Sequence, residues 1–120
     1  MPTHYEELRV WQKGMEIAEA VYKLTKSFPE EERFGLVSQM RRASISIPSN
    51  IAEGHGRVSS RKEFKHFLMI SRGSASELDT QLQLCLRVNL IKQEDYTEIA
   101  TLIQETSRML YNLMKKLSDN

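Results

Sequence analysis

Basic side chains are concentrated in the middle of this 120-residue sequence. Between Arg33 and Arg72, eight residues are basic and two, Glu53 and Glu63, are acidic, although the whole chain carries a formal net charge of only +1. Arginine and lysine bind phosphate oxygens through charge-assisted hydrogen bonds. The candidate phosphate-binding residues are Arg41, Arg42, Arg57, Arg61, Lys62, Lys65 and Arg72. A solvated helix face is the alternative explanation of such a run of charge.

Four of these residues crowd a short connection between two predicted helices. They are Arg57, Arg61, Lys62 and Lys65. Serine-rich turns and helix N-termini supply backbone N–H groups that suit phosphate. No aromatic residue is interleaved with these charges at positions expected to be exposed, so we expect no base stacking. The pattern predicts electrostatic binding to the backbone of RNA or DNA, without sequence recognition.

Catalytic and metal-binding motifs are sparse. His4, His55 and His66 have no second histidine or cysteine three or four residues away on a helix, and Cys85 stands alone. The chain has no nucleophile elbow, P-loop or dinucleotide-binding glycine pattern. Cys85 falls on an apolar helix face and is expected to be a core residue. We therefore expect no metal and no cofactor.

One pair of residues allows an enzyme hypothesis. Arg61 and His66 are separated by four residues, which resembles the Arg-x4-His pattern of the helical ribonucleases associated with toxin systems, the HEPN superfamily. The resemblance implies that arginine stabilises phosphate while histidine acts on the 2′-hydroxyl. Because so short a motif is common by chance, we expect a protein that is not an enzyme.

The apolar spacing predicts four helices and no strand. The first covers about residues 6–27 and ends at Phe28-Pro29, because proline disfavours helical geometry in the residue before it. The second begins at Phe34 or Gly35, and the third follows a capping box formed by Ser60 and Glu63. A break at 89–92 precedes the fourth. Short connections predict a single domain over residues 1–120, an up-down-up-down antiparallel four-helix bundle.

Two of the predicted helices carry more apolar surface than one core requires. The first has one stripe through Trp11, Met15 and Tyr22 and a second through Ile17 and Val21. The third has an apolar shoulder beside its main face, formed by Ile70, Leu84 and Val88. We expect these extra stripes to be buried in a homo-oligomer. The alternative is wider burial within a tightly wrapped monomer.

The second helix contains a proline in its interior. Pro48 removes one backbone hydrogen bond and clashes with the carbonyl of Ser44, which predicts a kink. Asn50 and Glu53 follow it beside the core stripe. We expect Pro48, Asn50 and Glu53 to form a structural kink or a subunit contact. A ligand-binding or catalytic role for the two polar residues is the alternative.

Length and composition exclude several classes of protein. A chain of 120 residues can bury a core without disulfides, and its single cysteine cannot form one within the chain. No apolar run is long enough to cross a membrane. The N-terminus has no charged-then-apolar signal pattern, which predicts a cytoplasmic protein without membrane contact.

A long segment of the second helix carries a resemblance to a known family. Residues 39–54 read QMRRASISIPSNIAEG, and related features continue at Phe64, Gly73-Ser74 and the Phe28-Pro29 junction. The segment resembles the bacterial four-helix-bundle proteins encoded by intervening sequences in 23S ribosomal RNA genes. That resemblance implies a homopentamer with a central channel. The family is similar to accessory variability proteins of diversity-generating retroelements, which are pentamers that bind nucleic acid and a reverse transcriptase.

These observations together predict a non-enzymatic, oligomeric four-helix bundle that binds RNA or DNA through phosphate. The alternative is a protein-interaction scaffold, or an adaptor to a nucleic-acid enzyme such as a reverse transcriptase. In that case the basic residues contact an acidic protein partner.

Overall fold

Four long helices account for most of the chain. The computed structural model describes residues 1–118, in which α1 spans Arg9–Thr25, α2 Ser38–His55, α3 Arg61–Arg87 and α4 Gln93–Ser118. Short 3-10 turns lie at Tyr5–Glu7 and Glu30–Glu32, and a π-helical turn at Arg33–Val37 leads into α2. No strand occurs among the described residues, so the prediction of an all-helical chain is confirmed.

Local signals in the sequence explain where the helices begin and end. The hydroxyl of Ser60 accepts the backbone N–H of Glu63 at 3.2 Å and caps α3. The carboxylate of Glu63, expected to reach back to the cap residue, lies 3.5 Å from the guanidinium of Arg57. Beyond the end of α3, Asn89 adopts a left-handed conformation with φ 65°, which asparagine tolerates better than most residues. The break predicted at 89–92 is confirmed.

All four helices contribute to one hydrophobic core. Its fully buried side chains include Ile17, Val21, Met40, Ile47, Ile51, Phe64, Leu68, Leu78, Leu82 and Leu110. Cys85 is also fully buried, and its thiol donates to the sulfur of Met40 at 3.6 Å. The prediction that Cys85 is a core residue is confirmed.

Each helix packs against two others. α1 contacts α2 and α4, and α3 contacts the same two helices. The approach of α1 to α2 is closest at Gly14, where a Cβ atom would lie 3.2 Å from the nitrogen of Pro48. α2 remains helical through Pro48. The hydroxyl of Ser71 on α3 donates to the buried carbonyl of Ile47, 2.8 Å away, which ties α3 to α2 beside the proline.

The extra apolar stripes are only partly covered in the single chain. On α1, Ile17 and Val21 are buried and Trp11 packs against the core, whereas Met15 and Tyr22 are each 38% exposed. The shoulder of α3, formed by Ile70, Leu84 and Val88, is exposed as well. The chain therefore does not bury these side chains within itself, as the monomer alternative required.

The described helices also bear on membrane insertion. Among residues 1–118, no helix combines the length and the apolar character needed to span a bilayer.

Candidate nucleic-acid interface

The connection between α2 and α3 brings four of the predicted phosphate-binding residues together. α2 ends at His55, and α3 begins at Arg61. Arg57 lies in the turn between them, and Arg61, Lys62 and Lys65 occupy the first turns of α3. Because Ser60 caps α3, the positive end of the helix dipole lies beside these cations. We call these four residues the end cluster.

Arg57 is held by three neighbouring side chains. Its Nη2 donates to Oε1 of Glu53 at 2.7 Å, its Nη1 lies 3.5 Å from Glu63, and its guanidinium stacks 5.1 Å from the ring centroid of Phe67. The hydrogen bond to Glu53 raises the pKa of the Arg57 guanidinium above its ordinary value. Arg57 therefore stays charged, but two carboxylates already compete for the position a phosphate would take.

The lysines of the end cluster are in a different situation. Lys62 is exposed and Lys65 is partly buried. Among the residues that the structure describes, neither ammonium group has a carboxylate within 4.0 Å. These two charges are available to a phosphate without first breaking an ion pair.

Arg41 and Arg42 lie toward the opposite end of α2. Gly54 is thirteen positions beyond Arg41, which corresponds to roughly 20 Å of helix. Arg41 is partly buried. Its Nε donates to the hydroxyl of Thr25 at 3.0 Å, and its guanidinium stacks 4.5 Å from the ring centroid of Tyr22. Arg41 thus joins α2 to α1, whereas Arg42 is exposed.

Arg72 lies apart from both groups, on the side of α3 that faces α4. Its guanidinium stacks 5.1 Å from the ring centroid of Tyr111. Tyr111 and the neighbouring Arg108 were not among the predicted site residues, because nothing near Arg72 in the sequence indicates which part of α4 it meets. The seven predicted residues therefore occupy three places on the molecule.

The aromatic residues interleaved with these cations in the sequence are not exposed, since Phe64 is buried and Phe67 partly buried, but tertiary contacts bring exposed rings beside two of the cations. Tyr22 contacts Arg41 and Tyr111 contacts Arg72, and both rings are partly exposed. Phe34, next to Arg33, is 88% exposed. Two of the three pairs join different helices, so sequence spacing could not show them.

The residues around Pro48 form a local polar network. The side-chain nitrogen of Asn50 donates to the carbonyl of Ser46 at 2.8 Å and to its hydroxyl at 2.9 Å. The hydroxyl of Ser74 on α3 donates to the same Ser46 hydroxyl at 2.8 Å. Asn50 thus bonds to Ser46 within the same helix and not to the carbonyl of Ser44, the group that Pro48 leaves without its helical donor. Glu53 does not join this network, because its carboxylate is paired with Arg57.

The described residues also bear on metal and thiol chemistry. Among residues 1–118, no three His, Cys, Asp or Glu side chains are grouped so that they could hold a metal ion. Burial raises the pKa of the Cys85 thiol to about 11, with a smaller contribution from the charge of Glu32. A thiol with such a pKa is a poor nucleophile near neutral pH.

Comparison with known proteins gives one family. The model of the 23S rRNA-intervening sequence proteins matches residues 6–112. The chain is similar to a crystal structure of a protein of unknown function from the S23 ribosomal protein family of Bacteroides thetaiotaomicron, with 29% identity and a TM-score of 0.78. That similarity covers 88% of this chain and 98% of the other. No curated protein matches. The chain belongs to the 23S rRNA-intervening sequence protein family.

Proposed function

We propose that this chain is a non-enzymatic, cytoplasmic nucleic-acid-binding protein that holds the phosphate backbone of RNA or DNA at its end cluster. The observation that carries the proposal is the position of Lys62 and Lys65, without carboxylate partners in the described chain, on the first turns of a capped helix. Phosphate is the ligand that suits both the ammonium groups and the helix N-terminus.

We further propose an up-down-up-down antiparallel bundle that assembles as a homo-oligomer, for which the family resemblance implies a pentamer. Contacts between helices support the antiparallel order, since Gly14 of α1 faces Pro48 of α2 while Thr25 meets Arg41. The uncovered shoulder of α3 and the exposed ring of Phe34 support assembly. A ring repeats each end cluster, and this repetition raises the apparent affinity without new contacts.

Binding across a salt series tests the phosphate proposal. The purified protein is titrated into a structured RNA and into a DNA duplex, and the logarithm of the binding constant is plotted against that of the salt concentration. We expect the logarithm of the binding constant to fall linearly, with a slope of about −0.9 for each phosphate neutralised on a DNA duplex. The triple variant Arg61→Glu, Lys62→Glu and Lys65→Glu is expected to lose most of the affinity.

A second triple variant is the matched control. Lys13→Glu, Lys23→Glu and Lys26→Glu change the net charge equally but lie on or just beyond α1. If both triple variants lose affinity to the same extent, the binding is a diffuse effect of net charge and the end cluster is not the site. Absence of binding by the unmodified protein at low salt would refute the proposal as a whole.

A protein-interaction scaffold, or an adaptor to a nucleic-acid enzyme such as a reverse transcriptase, is the second candidate. The half-exposed Leu84 and Val88 favour it, because a solvated helix seldom carries such a stripe. The pairing of Arg57 with Glu53 and Glu63 also favours it, since it leaves less uncompensated charge for phosphate. An intact oligomer that binds neither RNA nor DNA is the result expected for this function.

The non-enzymatic part of the proposal has its own test. His66 is exposed, and its ring contacts the edge of Phe67 with centroids 5.6 Å apart. We expect RNA to remain intact after prolonged incubation with the protein. Cleavage that disappears in His66→Ala would instead show the ribonuclease suggested by the Arg61 and His66 spacing.

A further inference from the structure

A groove between α3 and α4 lies on the side of the molecule that carries Arg72. It consists of two adjoining hollows of about 470 and 410 Å³, which share Arg72, Ser76 and Ser107. Arg108 and Tyr111 line the first hollow. Neither Arg108 nor Tyr111 belongs to the end cluster, and the phosphate-binding proposal above uses neither of them.

The two arginines of this groove carry uncompensated charge. Within residues 1–118, no carboxylate lies within 4.0 Å of the guanidinium of Arg72 or of Arg108. The one acidic residue of the lining, Asp79, is two turns from Arg72 along α3, and its carboxylate accepts hydrogen bonds from Tyr96 at 3.1 Å and Gln83 at 2.8 Å. An anion in the groove would therefore lie near two guanidinium cations and near one carboxylate that already accepts two hydrogen bonds.

The groove also contains an aromatic surface beside these charges. The guanidinium of Arg72 stacks on Tyr111, yet half of the tyrosine side chain is still exposed to solvent. A flat cation packed on a partly open ring is a surface on which a nucleobase stacks. The hydroxyls of Ser76 and Ser107 make no hydrogen bond to any other residue that the structure describes, so they can bind a sugar or a phosphate.

We propose that the groove between α3 and α4 binds an unpaired nucleotide of single-stranded RNA or DNA, with the base stacked at Tyr111 and the phosphates held by Arg72 and Arg108. A duplex cannot use this surface, because its bases are already stacked and paired. The hollow of about 470 Å³ is large enough for one splayed nucleotide. This inference rests on the proposed function and adds to it a preference for single strands.

Binding of a short single strand and of a duplex of matched length tests the inference. One arm uses a 12-nucleotide strand that carries 2-aminopurine, whose fluorescence reports stacking, and the other uses a DNA duplex with the same number of phosphates per strand. For Tyr111→Leu, which removes the ring and keeps similar bulk, we expect the dissociation constant for the single strand to rise roughly 5- to 100-fold. The constant for the duplex should stay within about twofold, because backbone contacts alone hold it.

Tyr111→Phe is the matched control, because it keeps the ring and removes only the hydroxyl. It should retain both the affinity for the single strand and the fluorescence change. Equal losses in Tyr111→Phe and Tyr111→Leu would mean that a hydrogen bond of the hydroxyl, not stacking, is responsible, and would overturn the inference. A lower oligomer mass in Tyr111→Leu would overturn it too, because the ring would then be a contact between copies.

The same experiment separates the two proposals. If the protein binds single strand and duplex equally, and Tyr111→Leu changes neither, then the groove is not a nucleotide site while binding at the end cluster stands. If the protein binds neither nucleic acid, both proposals fail. One result supports the groove as a nucleotide site. The protein binds the single strand more tightly than the duplex, and Tyr111→Leu loses that preference while it retains duplex binding.

Discussion

The capacity of each arginine and lysine to bind phosphate depends on its immediate neighbours. Lys62 and Lys65 have no carboxylate partner in the described chain, Arg41 is held by Thr25 and Tyr22, and Arg57 is held by two glutamates. A formal count of charge treats all of them alike. We therefore expect the carboxylates that pair with Arg57 to limit the affinity of the end cluster for phosphate more than the net charge of the chain does.

Removing the charge of Glu53 tests this limit. In Glu53→Gln, the 2.7 Å ion pair with Arg57 loses its negative partner, which leaves Glu63, 3.5 Å away, as the one carboxylate beside the guanidinium among residues 1–118. We expect tighter binding to duplex DNA and a salt slope steeper by up to about one unit. Stability should change little, because the pair is at the surface. Unchanged binding, measured in the same salt series, would show that the charge of Glu53 does not limit the affinity of the end cluster for phosphate.

Gly54 of α2 and Gly73 of α3 should respond oppositely to alanine. At Gly54, a Cβ atom would lie 2.9 Å from the Cβ of Phe67 and 3.0 Å from the ring of Phe64, whereas at Gly73 nothing lies within 4 Å. We expect Gly54→Ala to lower the free energy of unfolding by about 1–3 kcal/mol. Gly73→Ala should raise it by about 0.5–1 kcal/mol through helix propensity. Urea denaturation measures both, and changes of the same sign would contradict the packing at Gly54.

The buried thiol of Cys85 gives a prediction about pH. Burial raises its pKa from 9.0 to about 11 in the folded chain. The neutral thiol therefore contributes stability that is present below about pH 9 and is lost as the pH rises toward 11. At pH 8 we expect a thiol reagent to modify the folded protein far more slowly than the protein unfolded in guanidinium. Equal rates would show that Cys85 is accessible in the folded state.

At the scale of elements, one side-chain hydrogen bond joins α2 and α3 beside Pro48. The hydroxyl of Ser71 donates to the carbonyl of Ile47, and both residues are fully buried. We expect Ser71→Ala to lower the free energy of unfolding by about 0.5–1.5 kcal/mol, because the Ile47 carbonyl, which also accepts a hydrogen bond within α2, loses its second donor. Ser76→Ala on the exposed side of α3 is the control and should be nearly neutral. A neutral Ser71→Ala would mean that the Ile47 carbonyl is satisfied elsewhere.

The helices could be predicted from the sequence because local chemistry determines their ends. The first ends at Thr25, four residues before Pro29 and somewhat earlier than predicted, Ser60 caps the third, and Asn89 follows its end. The pair of Glu53 and Arg57 also had a local signal, because residues four apart on a helix are neighbours. The contact of Arg72 with Tyr111 had none, since it depends on the register of α3 against α4. The position of the end cluster could therefore be predicted from local patterns, whereas the groove depends on tertiary packing.

At the scale of the whole molecule, two of the uncovered apolar regions lie outside the groove at Tyr111. Phe34 and Ile45 lie with Tyr22 around a hollow beside α2, and Leu84 and Val88 lie on the shoulder of α3. Two separate apolar regions suit a ring in which each copy offers one region to each of two neighbours, since a two-fold dimer needs only one self-complementary surface. None of these side chains lines the groove at Tyr111, so the two proposals use different residues.

The exposed ring of Phe34 provides the most direct test of assembly. Its side chain is 88% exposed, so in a monomer Phe34→Ala should leave stability almost unchanged. In an oligomer a central aromatic side chain carries a large share of the binding energy, and its truncation typically costs more than about 2 kcal/mol. We therefore expect Phe34→Ala to shift the mass measured by light scattering toward that of one 14.0 kDa chain, with the helical content retained. Val58→Ala, a truncation of an exposed apolar side chain in the turn before α3, is the control and should keep the oligomer mass. An oligomer that withstands Phe34→Ala would place the contact on the shoulder of α3 alone, and a monomeric unmodified protein would refute assembly.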